Sequence, residues 1–542
     1  MCKCDEVVQE TMTSDDTNTQ VERSNNKSRI IPQVLACMAA SLGTLCSGAV
    51  NGWTAGALTS LDADPHMNMG TLQNAWVVAI IALGAVVGCP LAGYVMDLLG
   101  RRKTILVMCP FTFLGWITMA LAVNLELVLT GRALCGLTTA FLFSAVPVYC
   151  SETPEAKVRG ALGTLSSLFL TFGVVLSYVA GACFPWRISC YICGAPCLLT
   201  FAAIMLVPES PYWLLIKGKK ADAEASLRWL RGPNYDFSKE IAEMEAKMLL
   251  VGKKLEFREL WRPRTRRPFL IALFMMTLQQ ASGGNILIMY TGTIFISAGV
   301  ADHNMATVYA GLVQIVGTLL SVIMMDRAGR RPMIIISTAV MGTATLMLGV
   351  YYYVHNVMGN FWPRWVPLIT VLVAVFGYCL GCRTIPWLLS AELFNTTIRS
   401  TANAVTLFYN RFLNFTVIQV YPFFEEAAGA HTVFAVFGAL CLTCCIISFI
   451  CVPETKGKTL EQIQEYFEKE ALSSIYEVND MNNQQSTCSD VIQGEANKSL
   501  PTTSTLATEK DYDISVGSFI DKPALGSKGQ TQNSSSVENT AL

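Results

Sequence analysis

Charge is what this sequence has least of. Only 15% of its 542 residues are Asp, Glu, Lys or Arg, against 52% hydrophobic, and the formal net charge is −1. A soluble globular chain carries about 25% charged residues, so a water-soluble globule of this length is excluded. Histidine is limited to four copies, and none of them stands beside a carboxylate or cysteine in an apolar run. The apolar runs themselves contain no Asp, Glu or His. No nucleotide-binding loop, nucleophile constellation or metal-ligand cluster is present. Enzymatic chemistry, a cofactor, a bound metal and a nucleic-acid partner are therefore not expected. A cleavable leader is not expected either: residues 1–29 are polar, and the first apolar run is long enough to cross a bilayer.

What is abundant is uninterrupted apolar sequence. A bilayer core takes about 20 residues of helix, and twelve runs reach that length: 31–52, 73–95, 104–124, 127–149, 160–182, 187–207, 268–290, 305–325, 332–353, 365–390, 401–423 and 432–452. The loops after even-numbered runs hold Arg101, Arg102, Lys103, Lys157, Arg159, the basic stretch from Lys217 to Arg267, Arg327, Arg330, Arg331 and Arg399. The opposite loops hold mainly Asp62, Asp64, Glu126, Glu425, Glu426 and all four histidines, His66, His303, His355 and His431, with Arg187 and Arg364 as exceptions. Positively charged loops stay in the cytoplasm, which places both termini there in a multi-pass protein of the cell membrane. The nineteen cysteines include Cys190-x-x-Cys193 and Cys379-x-x-Cys382, both inside apolar runs without other ligands, as packing residues would be.

The chain says several things twice. Asp97-Leu-Leu-Gly-Arg-Arg102 returns as Asp326-Arg-Ala-Gly-Arg-Arg331. Ser151-Glu152, with Arg159 seven residues on, returns as Ala391-Glu392 with Arg399. Pro208-Glu209-Ser210 returns as Pro453-Glu454-Thr455. A parallel duplication in a membrane chain implies two bundles about a central site. The expected organisation is a polar, disordered stretch at 1–29, a six-helix bundle at 30–208, a helical linker at 209–267, a second six-helix bundle at 268–453, and a tail at 454–542, disordered after about 470. Helical patterning covers Ala221–Leu230 and Phe237–Leu250 of the linker, and the stretch from Leu460 to Phe467 has the pattern of a docking helix. The paired charges (Asp97, Arg101, Arg102, Glu152, Arg159 and Glu209; Asp326, Arg330, Arg331, Glu392, Arg399 and Glu454) form a candidate gating network at helix ends on the cytoplasmic side.

Inside the spans, polarity concentrates at Gln279-Gln280-Ala-Ser-Gly-Gly-Asn285. Amides that both donate and accept suit a hydroxylated solute, and adjacent glycines let a helix bend. Later runs add Gln314, Pro386-Trp387, Asn410 and Asn414. A tryptophan face suits a pyranose ring. Arg132, Arg383 and Arg411 are the cations within spans. The last two lie roughly 13–18 Å from the cytoplasmic edge, counted to Glu392 and Arg399 at 1.5 Å per residue, so they must face the aqueous cavity. They either meet carbonyls and amides or bind the solute.

Seven motifs, Asp97–Arg102, Ser151–Gly160, Pro208–Pro211, Gln279-Gln280-x-Ser-Gly, Asp326–Arg331, Ile385-Pro-Trp387 with Ala391–Phe394, and Pro453–Gly457, occur in the order found in one family. Over residues 30–470 the chain resembles the sugar porter family of the major facilitator superfamily, and within it animal facilitative glucose transporters and insect trehalose transporter-like proteins. The resemblance implies an all-α membrane protein of two six-helix bundles, needing no cofactor and working as a monomer among membrane lipid. It implies facilitative transport of a hexose or trehalose by alternating access, with sugar contacts at Gln279, Gln280, Asn285, Gln314, Trp387 and Asn410. The family's proton-coupling Asp in the first helix is missing, so uniport is implied. Against the family pattern, Ser167 replaces a sugar-contacting Gln, Cys379 a Glu or small residue, Arg411 a Trp and Tyr212 an Arg, and Arg383 interrupts the bend before Pro386. These changes leave two alternatives open: transport of another small solute such as an organic anion, or nutrient sensing without transport.

Overall fold

A computed structural model of the chain describes residues 28–67, 69–233, 235–251, 260–359, 363, 365–394, 398–458 and 462–469. The polar ends expected before residue 28 and from 470 onward lie outside it. Six long helices form the first half: α1 (Ile30–Asp62), α2 (Thr71–Leu99), α3 (Arg101–Ala120), α4 (Leu125–Glu152), α5 (Ala156–Cys183) and α6 (Trp186–Met205). Three shorter ones follow, α7 (Pro211–Ile216), α8 (Lys220–Arg231) and α9 (Ser238–Val251). The second half comprises α10 (Pro263–Ala281), α11 (Gly284–Met289), α12 (Thr291–Ser297), α13 (His303–Ala328), α14 (Arg330–Met358), α15 (Val366–Gly377), a π-turn at Tyr378–Cys382, α16 (Ile385–Glu392) and α17 (Arg399–Cys451). Eleven helical stretches among the described residues are long and apolar enough to cross a membrane. The last of them is double. α17 has 53 residues and changes direction at Gly429, whose φ of 81° and ψ of 153° are not helical. At 1.5 Å per residue it would otherwise be about 80 Å long, more than two bilayer cores. The count is therefore twelve spans.

Helix ends depart from the hydropathy pattern at several places. α1 continues past the expected end at residue 52 to Asp62, because Trp53, Ala55, Ala57, Leu58 and Leu61 of the extension still pack inside the protein. The segment carrying Glu425 and Glu426, expected as a loop, stays helical. Pro211 opens α7 at the first helical position, where its missing N–H costs no bond, and the Ser210 hydroxyl caps the Trp213 amide at 3.3 Å. α7–α9 pack on one another through Trp213, Leu214, Leu215, Leu227 and Ile241. Arg231, 1% exposed, joins this layer to the first half by donating to the Thr153 carbonyl at 3.1 Å and to Glu240 at 2.7 Å. A short helix at 462–469 buries Ile463 and Phe467 against the main core.

In the first half α1 lies along α5, α2 along α4, and α3 between α4 and α6. A Cβ on Gly48 would stand 2.0 Å from the Leu170 carbonyl oxygen, and one on Gly173 equally close to that of Leu45. Without a large hydrophobic drive between helices in lipid, such small residues set how closely backbones approach. Cys190, Cys193, Cys379 and Cys382 are all buried. Arg132 is buried as well, donating to the Val77 carbonyl at 2.7 Å and stacking over Trp53 at 5.2 Å. The halves meet where α2 packs on α17, α5 on α13, and α1 on α11 and α12. At the end remote from α7–α9, Gly292 closes on Ala55 so tightly that a Cβ would be 2.0 Å from its oxygen.

Candidate functional site

The charged clusters occupy the end of the helices beside α7–α9. Gly100 and Gly329 adopt φ of 94° and 96°, values that disfavour any side chain. Each glycine also makes room for a remote carboxylate. A Cβ on Gly100 would stand 2.5 Å from Glu209, and one on Gly329 would stand 2.7 Å from Glu454. Glu209 accepts the backbone N–H groups of Arg102 and Lys103 at 2.8 and 3.3 Å. Glu454 accepts those of Arg330 and Arg331, both at 3.0 Å. Free N–H groups at a helix start favour an anion. Burial works against the Glu454 charge, but the backbone amides of Lys456, Arg330, Arg331 and Thr455 outweigh it and hold the carboxyl below its usual range.

Next to each cap is an ion pair. Arg101 meets Glu152 at 3.0 Å and Asp97 at 3.7 Å; Arg330 meets Glu392 at 3.2 Å. Ser210 donates to Glu152 at 2.5 Å and Thr455 to Glu392 at 2.6 Å. The second arginine of each motif takes a different place from the one its sequence suggests. Arg102 donates its side chain to the Ile204 and Met205 carbonyls at the end of α6, and Arg331 to the Phe449 carbonyl near the end of α17. They cap carbonyls left free at helix C-termini. Arg159 is exposed, and its side chain donates to the Pro154 carbonyl at 3.4 Å rather than to an acid among the described residues. The side chains of Asp326 and Arg399 lie outside the described residues. The Arg101–Glu152 and Arg330–Glu392 pairs each run within one half.

Two breaks in the second half shape the candidate solute site. Gly283, with φ of 75°, separates α10 from α11, and the absent side chain of Gly284 admits the Tyr378 ring, whose Cδ2 a Cβ would approach to 2.2 Å. The second break is the π-turn. The Cys382 carbonyl at its end lacks a helical donor because Pro386, four residues on, has no N–H. Gln279 makes good the loss, donating to the Cys382 and Arg383 carbonyls at 3.3 and 2.8 Å, while its oxygen accepts from Asn410 at 2.9 Å. From α14, the Ser337 hydroxyl accepts the Cys382 N–H at 2.8 Å.

Gln280 and Asn285 are arranged differently from Gln279. Asn285 donates to Gln280 Oε1 and to Asn414 Oδ1, each at 2.9 Å, and accepts from the Tyr378 hydroxyl at 3.1 Å. The Nε2 of Gln280 and the Nδ2 of Asn414 donate to no protein atom among the described residues. Gln314 donates to the Tyr178 hydroxyl at 3.3 Å, and Tyr178 donates to the Ile288 carbonyl at 2.7 Å, linking α5 to α11. Arg383 reaches Gln314 at 3.5 Å. Trp387 stands edge-on to Phe143 of α4 at 5.8 Å, and Arg411 lies over both rings, at 5.6 and 4.6 Å.

Gln279 with Asn410, Gln280 with Asn285, Gln314 with Arg383, and Trp387 with Arg411 are thus brought together. Ser167 is not joined to them: its carbonyl accepts from Thr171 at 3.0 Å, and it is Thr171 that meets Thr318 across the halves at 3.3 Å. Sequence reasoning passed over Phe143, Tyr178 and Tyr378. Each sits in an apolar run where an aromatic residue gives no signal, although Asn414, one turn from Asn410, had been visible as a polar pair. The arrangement offers neutral donors and acceptors on helices of both halves, with two cations and no carboxylate among the described residues at this level.

The family model described as "Sugar (and other) transporter" matches residues 11–467. The facilitated trehalose transporter Tret1 of Apis mellifera ligustica is 33% identical over 447 residues, covering 81% of this chain and 89% of that one. The Bombyx mori facilitated trehalose transporter Tret1 is 31% identical over 465 residues, covering 85% and 92%. Among solved structures, the inward-open conformation of the xylose transporter XylE from E. coli superposes with a TM-score of 0.68 at 22% identity, over 79% of this chain and 98% of that one. At that identity the likeness is one of fold.

Proposed function

Because this chain belongs to the sugar transporter family, we propose that it carries a sugar of the hexose or trehalose class across a membrane by alternating access. The observation that carries this is the uncharged cluster of Gln280, Asn285, Asn414 and Tyr378 beside a broken helix, in which the amide N–H groups of Gln280 and Asn414 donate to no protein atom among the described residues. Sugar hydroxyls exchange hydrogen bonds with such groups without leaving a charge buried. The curated relatives named above are facilitated trehalose transporters, which supports a sugar moving down its gradient. The process is uniport: the spans offer no Asp, Glu or His for a proton relay at the depth of the cluster, and such groups mark proton pathways.

The solute site lies between residues 30–208 and 268–453, which act as two bodies joined by 209–267. The end beside α7–α9 faces the cytoplasm in the cell membrane, as its excess of Lys and Arg favours. There the twin capped ion pairs act as gating clusters that hold three helix ends together in each half. Protein reconstituted alone into liposomes tests the proposal by counterflow of labelled trehalose and glucose. Saturable exchange of either is expected. Absence of exchange for every sugar, with correctly folded protein, would favour a sensor that does not transport.

A further inference from the structure

Two guanidinium groups, those of Arg383 and Arg411, stand near the seam between the halves with no acid beside them among the described residues. Among the described residues, the Arg383 guanidinium has as acceptors Gln314 Oε1 at 3.5 Å and Cys379 Sγ at 3.8 Å. The first distance is at the limit of a hydrogen bond, and a thiol is a weak acceptor. Arg411 rests its face on Phe143 at 4.6 Å and Trp387 at 5.6 Å, one ring from each half, with Cys89 of α2 in reach. Stacking occupies the guanidinium face and leaves the in-plane N–H donors to point outward. Its Nε is buried without a hydrogen-bond partner. Both cations lie within electrostatic range of Tyr378, whose hydroxyl belongs to the amide cluster.

Neither arginine is paired with a carboxylate among the described residues. An uncompensated cation at this depth is costly unless water or an anion meets it. Neutral hydroxyl recognition does not require a guanidinium, and two of them beside a set of amides would repel any cationic solute. A planar N–H fork matches a carboxylate in two-point contact.

From this geometry we propose that the preferred solute is a sugar acid: a hexose-sized, hydroxylated molecule with one carboxylate. The carboxylate lies toward Arg383 and Arg411, and the hydroxyls face Gln280 and Asn414. The inference rests on the sugar-transport reading and narrows it to a substrate class.

The test uses the full-length protein in liposomes, with labelled glucose counterflow and unlabelled glucuronate or glucose as competitor. The two share a ring and differ at one carbon. Glucuronate is expected to compete at a concentration about tenfold lower than glucose, a factor equal to about 1.4 kcal/mol. Arg383→Gln and Arg411→Gln should each bring the ratio toward one, and Arg411→Lys should retain part of it. Glucuronate competing no better than glucose in the unmutated protein overturns the proposal without recourse to any variant. So does an unchanged ratio in both glutamine variants. Glucose exchange with no preference for glucuronate defeats this inference alone, whereas no exchange of any sugar defeats the transport reading and this inference with it.

Discussion

Replacing Gln279 and Gln280 one at a time by alanine should separate a structural glutamine from a solute-facing one. The two are equally buried, each 3% exposed, but Gln279 engages both ends of its amide: two carbonyls at the π-turn and the Asn410 side chain. Gln279→Ala strands three buried groups at about 1–3 kcal/mol each, so the loss of stability is about 3 kcal/mol even at the low end. Gln280 spends only its oxygen, on Asn285. Gln280→Ala leaves Asn285 its other two partners, Asn414 and Tyr378, and costs the fold about 1 kcal/mol. What it removes is an N–H donor available to solute. Losing about 1–3 kcal/mol of solute interaction lowers apparent affinity about 5- to 150-fold. The assays are thermal melting of purified protein in detergent and concentration-dependent sugar counterflow in liposomes. Gln279→Ala should melt well below Gln280→Ala, and Gln280→Ala should show the larger rise in KM per degree lost. Equal melting temperatures for the two variants, or unchanged counterflow kinetics in Gln280→Ala, would refute the division of roles.

Asn285→Ala should likewise weaken sugar counterflow strongly, since it breaks the link between Gln280, Asn414 and Tyr378; wild-type kinetics would count against the site. Gly329→Ala should destabilise the protein by about 1–3 kcal/mol through its φ of 96° alone, and further by displacing Glu454; a melting temperature equal to the parent's would show the cap to be dispensable. Arg101→Ala and Glu392→Ala each loosen helix ends beside α7–α9 and should shift the population toward the form open on that side, as read by crosslinking or paired fluorescent probes; unchanged populations in both would contradict the gating role. An imposed pH gradient should drive no sugar accumulation, and accumulation would refute uniport.

The sequence by itself determined the twelve spans, the duplication and the level at which polarity enters the second half. Those features follow from the cost of placing polar groups in hydrocarbon, which leaves a long apolar run few alternatives. It also disclosed which residues recur, Gly100 with Gly329 and Glu209 with Glu454. Why they recur was decided in three dimensions. A positive φ and a carboxylate arriving from beyond the next helices meet at one amide pair, and nothing in a local stretch shows that meeting. Partner choice was illegible for the same reason. Arg101 and Arg102 are neighbours in the chain, yet one finds an acid and the other finds carbonyls, because successive residues on a helix point in directions about 100° apart. Gln279 and Gln280 differ likewise, one turned into the π-turn and the other toward Asn285. Only the tertiary structure set Phe143 beside Trp387 and Arg411, since aromatic residues in apolar helices look alike until the opposite half supplies their neighbour.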